Sequence, residues 1–141
     1  MTQELQRVVT VNDKEYTIQI FKGETSMVIF HELSRVIIPF IKDLQDAFTT
    51  EDEAEKSKMI LSALEKVFTT VDYNTALKLL KTLVSQVYGA NGRVIVPNDE
   101  FAKNITSWYL LAWEVISFNY ADVFSFLGSG ETAADLNRDL I

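Results

Sequence analysis

The sequence predicts a mainly α fold with a small N-terminal β-hairpin, an α+β domain formed by a bundle of four to five helices. Two segments before Gly23 alternate apolar and polar side chains, whereas apolar residues after Gly23 recur at spacings of three and four. These are the periods of a strand and of a helix, respectively. A length of 141 residues fits one core. We therefore expect a single domain over 1–127 and a flexible C-terminal tail over 128–141.

The two alternating segments, Leu5–Val11 and Tyr16–Phe21, are rich in the β-branched and aromatic residues that favour strands. Asn12–Glu15 lies between them and begins with Asn and Asp, which tolerate the dihedral angles of tight turns. This order predicts an antiparallel hairpin. Because an isolated hairpin is marginal in water, its apolar face is expected to rest on the helices.

The first helix is predicted to start at Thr25 or Ser26, either of which can act as an N-cap. Further apolar residues, Ile38 and Ile41 among them, widen its stripe, which implies burial on two sides, within the fold or against another chain. We expect self-association because one neighbour cannot cover this surface. Pro39 removes a backbone hydrogen bond, so a bend or break is expected there. The apolar residues on helical spacing are Phe30, Leu33, Ile37, Phe40, Leu44 and Phe48.

Two more helices are predicted in the middle of the chain. The third of the bundle starts at the N-cap Asp72 and ends at Gly89, where glycine favours a left-handed cap. Asn91-Gly92 then forms a turn. The second helix follows an acidic stretch over 49–58, and its apolar residues are Ile60, Leu64, Val67 and Phe68.

The fourth helix is long and aromatic. Pro97 precedes it, and Asn98 or Asp99 is expected to cap its start. Asn119 is expected to end it, before a short aromatic turn over 120–127. The helix and turn together hold half of the aromatic residues of the chain, between positions 101 and 126.

Composition excludes several classes of function. Thirteen Lys and Arg against twenty Asp and Glu give a net charge of −7, which repels phosphate backbones and anionic lipids. Neither nucleic acid nor a membrane is therefore expected as a partner. The absence of Cys removes thiolate metal sites and cysteine nucleophiles. Since the N-terminal residues lack a secretion signal and no apolar run reaches about 18 residues, we expect a cytoplasmic protein.

Short motifs for catalysis and ligand binding are incomplete. His31-Glu32 lacks the second histidine of the zinc-protease spacing, because position 35 is Arg. Gly89–Gly92 has the spacing of an RNA-binding G-x-x-G loop but not its basic surroundings. Glu114 and Asp122 stand in apolar sequence, where burial tunes carboxylates for acid–base chemistry. We predict no catalytic, cofactor-binding or metal site; an enzyme would need a pocket that gathers these two carboxylates and His31.

The aromatic concentration in the last third of the chain allows two interpretations. Aromatic rings bury large areas, and Trp and Tyr are frequent anchors of interfaces. Trp108 and Trp113 are five positions apart, about 140° around a helix axis. Either one indole meets a partner protein, or the helix is central and both indoles are part of the core.

The order of the segments also carries a resemblance. A hairpin that ends with Tyr16–Phe21 is followed by helices, by Arg93–Pro97 and by an aromatic helix that closes with Phe118–Phe126. This arrangement resembles the tail assembly chaperones of long-tailed bacteriophages and prophages, in which the helix commonly closes with Asn, an aromatic residue and a further aromatic pair. The matching positions are Asn119, Tyr120, Phe124 and Phe126.

The resemblance implies a non-enzymatic protein without a cofactor, which binds the helical, apolar tape measure protein and keeps it soluble until tail tube subunits polymerise around it. We expect it to act in the host bacterial cytoplasm, through the first and fourth helices. Its expected partners are the tape measure protein, the tail tube protein and further copies of itself. The alternative is a small acidic helical adaptor or regulator of another bacterial or phage protein. The candidate protein-binding residues are Trp108, Trp113, Phe118, Tyr120, Phe124, Phe126, Ile38 and Ile41.

Overall fold

The computed structural model describes residues 4–128, apart from the side chains at positions 41, 45, 48 and 122–128. The part of the predicted tail that follows Gly128 therefore lies outside the described residues. The predicted class, mainly α with a small β component, is confirmed. The elements are β1 (Gln6–Val11), β2 (Lys14–Gln19), α1 (Gly23–Ile37), a 3-10 turn (Ile38–Phe40), α2 (Ile41–Thr49), α3 (Glu53–Thr70), α4 (Tyr73–Leu83), β3 (Tyr88–Gly89), α5 (Pro97–Glu100) and α6 (Ile105–Gly128).

The N-terminal hairpin turns over two residues, Asn12 and Asp13, whose φ angles are 49° and 68°. Positive φ at both central positions matches the right-handed twist of the paired strands. β2 therefore starts at Lys14, earlier than predicted. The side chains that the hairpin buries against the helices are Val9, Val11, Tyr16 and Ile18.

A third strand replaces the predicted end of the third helix. α4 ends at Leu83 rather than at Gly89, and Tyr88–Gly89 pairs antiparallel with β2, which gives the sheet order β1-β2-β3. Helical spacing predicted the wrong element here because a turn after Leu83 buries Val84 and Val87 without a helix. Pairing with β2, far away in sequence, supplies backbone hydrogen bonds that a longer helix would have made.

The predicted first helix is split. Pro39 lies in the 3-10 turn between α1 and α2, which confirms the expected break. α1 starts at Gly23 with Lys22 as its N-cap, so the predicted caps Thr25 and Ser26 are inside the first turn and wrong. Lys22 gives the helix no side-chain cap, and the acidic Glu24 in the first turn complements the helix dipole instead.

Carboxylates cap α3 and α4. Asp52 accepts a hydrogen bond from the Ala54 backbone N–H at 3.0 Å. Asp72 accepts one from the Thr75 N–H at 3.2 Å, which confirms the predicted cap. Each cap satisfies a backbone donor that the helix leaves unpaired, so the starts of both helices are fixed where the chain reverses direction.

α6 is the centre of the helical layer, with α2, α3, α4 and the hairpin packed around it. It begins at Ile105 and not at Asn98 or Asp99, because Pro97–Glu100 forms the separate short helix α5. A helix enclosed on several sides buries residues all round its axis. None of the described helices has both the length and the apolar character needed to cross a membrane. The residues that α6 buries are Ser107, Trp108, Leu111, Ala112, Trp113, Val115, Ile116 and Tyr120.

The expected helix end at Asn119 coincides with a kink in α6. The backbone at Tyr120 is non-helical (φ −131°, ψ 16°), so two helical segments meet there, and the second of them, which continues to Gly128, replaces the predicted aromatic turn. The Asn119 side chain accepts a hydrogen bond from the Phe21 N–H at 2.8 Å and donates to the carbonyl oxygen of Gln19 at 3.3 Å. It therefore joins the end of the hairpin to α6 at the position of the kink.

Candidate functional site: an apolar groove

The two indoles of α6 both lie in the core. Trp108 is 8 % exposed and Trp113 is 4 % exposed. The structure therefore follows the second interpretation of the sequence, in which the helix is central. Although the two side chains point about 140° apart, each has a neighbour to bury it: Trp108 stacks on Phe101 at 5.5 Å, and Trp113 faces α3.

The other predicted binding residues are scattered. Tyr120 is buried and donates a hydrogen bond to the Ser26 carbonyl oxygen at 3.0 Å. Phe118 is half-buried under the Arg7 guanidinium, which lies 4.7 Å from the ring centre. Ile38 is exposed in the 3-10 turn. The side chains of Ile41, Phe124 and Phe126 lie outside the described residues. The described members of the predicted set therefore do not form one surface.

The residues considered for acid–base chemistry are also apart. Glu114 lies with Trp113 in a small cavity of about 170 Å³ between α3 and α6. Burial raises the pKa of Glu114, and Lys56 and Arg7 offset part of that shift. His31 is exposed on α1 and does not line this cavity, and the Asp122 side chain is outside the described part. Among the described residues, no group of three His, Cys, Asp or Glu is arranged to hold a metal ion.

A groove of about 480 Å³ opens where the start of α6 meets the junction of α3 and α4. We call it the apolar groove. Its floor includes Trp108, whose indole N–H donates to the Leu80 carbonyl oxygen at 3.2 Å, so the polar edge of the ring is satisfied. The residues that line the groove are Phe68, Thr69, Val71, Tyr73, Ala76, Leu77, Leu80, Ile105, Trp108 and Tyr109.

Two large apolar side chains at the groove are left to solvent. Tyr73 is 74 % exposed at the first residue of α4, and Ile105 is 57 % exposed at the first residue of α6. Below them, Phe68 and Tyr109 stack with ring centres 5.9 Å apart. Burial, with a smaller contribution from Glu65, raises the pKa of Tyr109, so its hydroxyl stays protonated and uncharged at neutral pH. The groove therefore has an ordered aromatic floor and exposed apolar residues at its mouth.

The chemistry of the groove suits an apolar protein segment. None of its lining residues carries a charge, and its volume is within the range of pockets that enclose a ligand or a few side chains. A larger cleft of about 870 Å³ lies beside Tyr16 and β3, but charged residues line it and Tyr16 donates a 2.7 Å hydrogen bond to Glu100 there. The apolar groove is therefore the better candidate for a client that buries an apolar stripe.

Of the residues that line the groove, the sequence indicated Trp108 as a candidate binding residue. It did not indicate Tyr73 and Ile105, which are at the mouth. Tyr73 follows the N-cap Asp72, and Ile105 starts a helix that was predicted to begin earlier. A large apolar residue in the first turn of a helix was a visible signal for each. The meeting of these two helix starts depends on tertiary packing, which the sequence pattern does not contain.

Comparison with known proteins identifies the family of this chain. A family model described as phage tail assembly chaperone protein, TAC, matches residues 12–130. No curated protein and no solved structure is significantly similar to the chain. The match includes the hairpin turn, the described helices and the whole apolar groove, so it is not confined to one motif. The chain therefore belongs to the phage tail assembly chaperone family, and its role lies in tail assembly.

Proposed function

We propose that this protein binds the tape measure protein in the bacterial cytoplasm and keeps it soluble during tail assembly, without catalysing a reaction, and that the apolar groove is its client-binding site. The observation that carries the proposal is the pair of exposed apolar side chains, Tyr73 and Ile105, over an aromatic floor. Membership of the chaperone family supports a protein client. An exposed apolar groove is also the surface that a helical client recognises through residues spaced by three and four.

The expected affinity of the groove is low. Each client side chain that fills the groove contributes roughly 1.5–3 kcal/mol by leaving water. With roughly two or three such side chains, association costs of several kcal/mol offset most of this gain. Weak, readily reversible binding through the groove is therefore expected, which allows release when tail subunits displace the chaperone. The net charge of −7 disperses the loaded complexes through mutual repulsion.

The test is co-expression of the tape measure protein with chain variants at the start of two helices. Ile105→Asp puts a carboxylate at the mouth of the groove, and the helix dipole of α6 favours an acid there, so folding is expected to be retained. We expect the soluble fraction of the tape measure protein to fall markedly, with binding weakened by about tenfold.

Val96→Asp is the matched control, since Val96 is 56 % exposed and is the N-cap of α5, away from the groove. It should leave client solubility unchanged. Equal client solubility with the wild-type chain, Ile105→Asp and Val96→Asp would contradict the proposal. Circular dichroism on both variants shows whether they fold.

Self-association is also part of the proposed function. The expectation came from the apolar breadth of the first helix, and α1 does leave Met27 and Val28 exposed. Light scattering over a range of concentrations measures it, and a strict monomer at high concentration would contradict it.

A further inference from the structure

The outer edge of the sheet is β1, which presents a row of backbone N–H and C=O groups. The Ile20 N–H donates to the Leu5 carbonyl oxygen at 3.1 Å, which makes these two residues a hydrogen-bonded pair of the hairpin. Such pairs alternate along an antiparallel ladder, so Arg7, Val9 and Val11 also bond inward to β2. The N–H and C=O groups of the alternate residues point outward, and within residues 4–128 no strand pairs with them, since β1 is the end of the sheet. The outward residues are Gln6, Val8 and Thr10.

The sequence of β1 has little protection against pairing. Natural edge strands are usually short, bulged or marked by Pro or Lys. β1 has six regularly paired residues, QRVVTV, with neither Pro nor Lys, and Val8 at its middle is 60 % exposed. Its one charged residue, Arg7, pairs with Glu4 and lies over the Phe118 ring, on the face opposite to Val8. The opposite edge is the two-residue strand β3. Any strand that extends the sheet is therefore expected at β1.

The face of the sheet that points away from the helices extends the exposed surface of β1 across the other two strands. Val8 pairs with Thr17, Thr17 with Tyr88, and Tyr88 with Val94. Because cross-strand partners project to the same side, these four residues form one uncharged row across the sheet. Val8, Tyr88 and Val94 are all exposed. Depletion of charge and the presence of Tyr are typical of interface cores, and this row has both in a chain that is 23 % charged.

We propose that β1 pairs antiparallel with β1 of a second copy, around a two-fold axis at Val8, and that this pairing is the self-association included in the proposed function. In this register Val8 lies opposite Val8 of the second copy, and Gln6 opposite Thr10 of the second copy. The edge is therefore self-complementary, as a two-fold interface requires. Arg7 comes opposite an apolar residue, and its charge is already met by Glu4 of its own chain at 2.8 Å.

The distribution of charge favours the β1 edge as the place where two copies of the chain meet. Two chains that each carry −7 repel one another at long range. The three outward residues of β1 are uncharged, so the pairing itself brings no like charges together on that face. The backbone hydrogen bonds that form across the axis supply affinity, and the Val8 pair supplies apolar contact.

A pair of charge variants at Val8 tests both the surface and the register. Sedimentation equilibrium of the full chain is expected to show a concentration-dependent dimer. Val8→Lys and Val8→Glu each put like charges opposite one another at the axis, and each should weaken dimerisation by about tenfold or more. An equal mixture of the two variants should restore dimerisation, because a lysine in one copy then lies opposite a glutamate in the other. This recovery occurs only if position 8 is on the two-fold axis, where it faces the same position of the second copy. Val8 is exposed, so both variants are expected to fold, which circular dichroism checks.

The control is Thr17→Lys, which changes the same row on the central strand and leaves the edge intact. A wild-type chain that stays monomeric, a Val8 mixture that does not recover, or equal loss of dimer in Thr17→Lys would each overturn the proposal. The two proposals fail separately: an unchanged soluble fraction of the tape measure protein with Ile105→Asp would contradict the client-binding proposal alone, because Ile105 lines the groove and is not part of β1.

Hydrogen exchange at the outward amides of Gln6, Val8 and Thr10 identifies the occupant of the edge. Protection that rises with protein concentration supports a second copy. Protection that is independent of concentration would place another segment of the same chain on β1, and protection that appears only with the client would assign the edge to the client. Either of these two results would overturn the proposal.

Discussion

Glu114 lies on the face of α6 that packs against α3, in the same cavity as Trp113. Burial raises its pKa above the ordinary 4.5, and the attraction of Lys56 and Arg7 offsets only part of this effect. Because the folded state binds the proton more tightly than the unfolded chain, the protonated form favours folding. The contribution is fully present below the unfolded pKa and is lost as the pH rises through the raised folded pKa.

Glu114→Gln should therefore remove a pH-dependent part of the stability. We expect the stability of the variant relative to the wild-type chain to increase as the pH rises from below 4.5 to neutral. Urea unfolding of both proteins at a series of pH values measures this difference. A difference that is constant with pH, or that changes in the opposite direction, would show that burial does not govern this carboxylate.

At the scale of elements, the hairpin and the central helix are joined by one amide side chain. Asn119 accepts from the Phe21 N–H and donates to the carbonyl oxygens of Gln19 and Val115. The hairpin turn is held at a second point, where the Asn12 amide donates to the Ser107 hydroxyl at 2.6 Å. These bonds fix the sheet over α6 at both ends, so the position of the β1 edge depends on α6.

Asn119→Ala should cost about 2 kcal/mol of unfolding free energy, because it leaves the Phe21 N–H and the Gln19 carbonyl without this partner in a partly buried place. Asn119→Asp keeps the acceptor and loses the donor, so an intermediate loss is expected. Chemical denaturation measures both. Asn74→Ala, at an exposed position of α4, is the control and should change stability by less than about 0.5 kcal/mol. An Asn119→Ala variant as stable as this control would contradict the role of the amide.

At the scale of the whole molecule, local rules account for much of the fold. Alternation and the Asn-Asp pair predicted the hairpin, Pro39 predicted the break after α1, and Asp72 predicted the start of α4. Each of these features depends on a few neighbouring residues, which is why the sequence alone contains it.

Features that depend on distant contacts were missed. β3 exists because Tyr88–Gly89 pairs with β2, about 70 positions earlier, and helical spacing could not reveal that pairing. The apolar groove likewise needs Tyr73 and Ile105 at the same groove, which only the packing of α4 against α6 provides. The sequence also left open whether an indole meets a partner or both indoles are part of the core. The structure follows the second interpretation, because the elements around α6 cover both rings.

Site-specific photocrosslinking shows whether the apolar groove receives the tape measure protein. A photoreactive residue is placed at Tyr73, exposed at the mouth of the groove, or at Tyr88, exposed on the sheet. Both are tyrosines outside the core, and Tyr88 does not line the groove, so it is the comparison position. A covalent adduct with the tape measure protein is expected from position 73 and none from position 88. Adducts with the client from position 88 but not from position 73 would contradict the client-binding proposal.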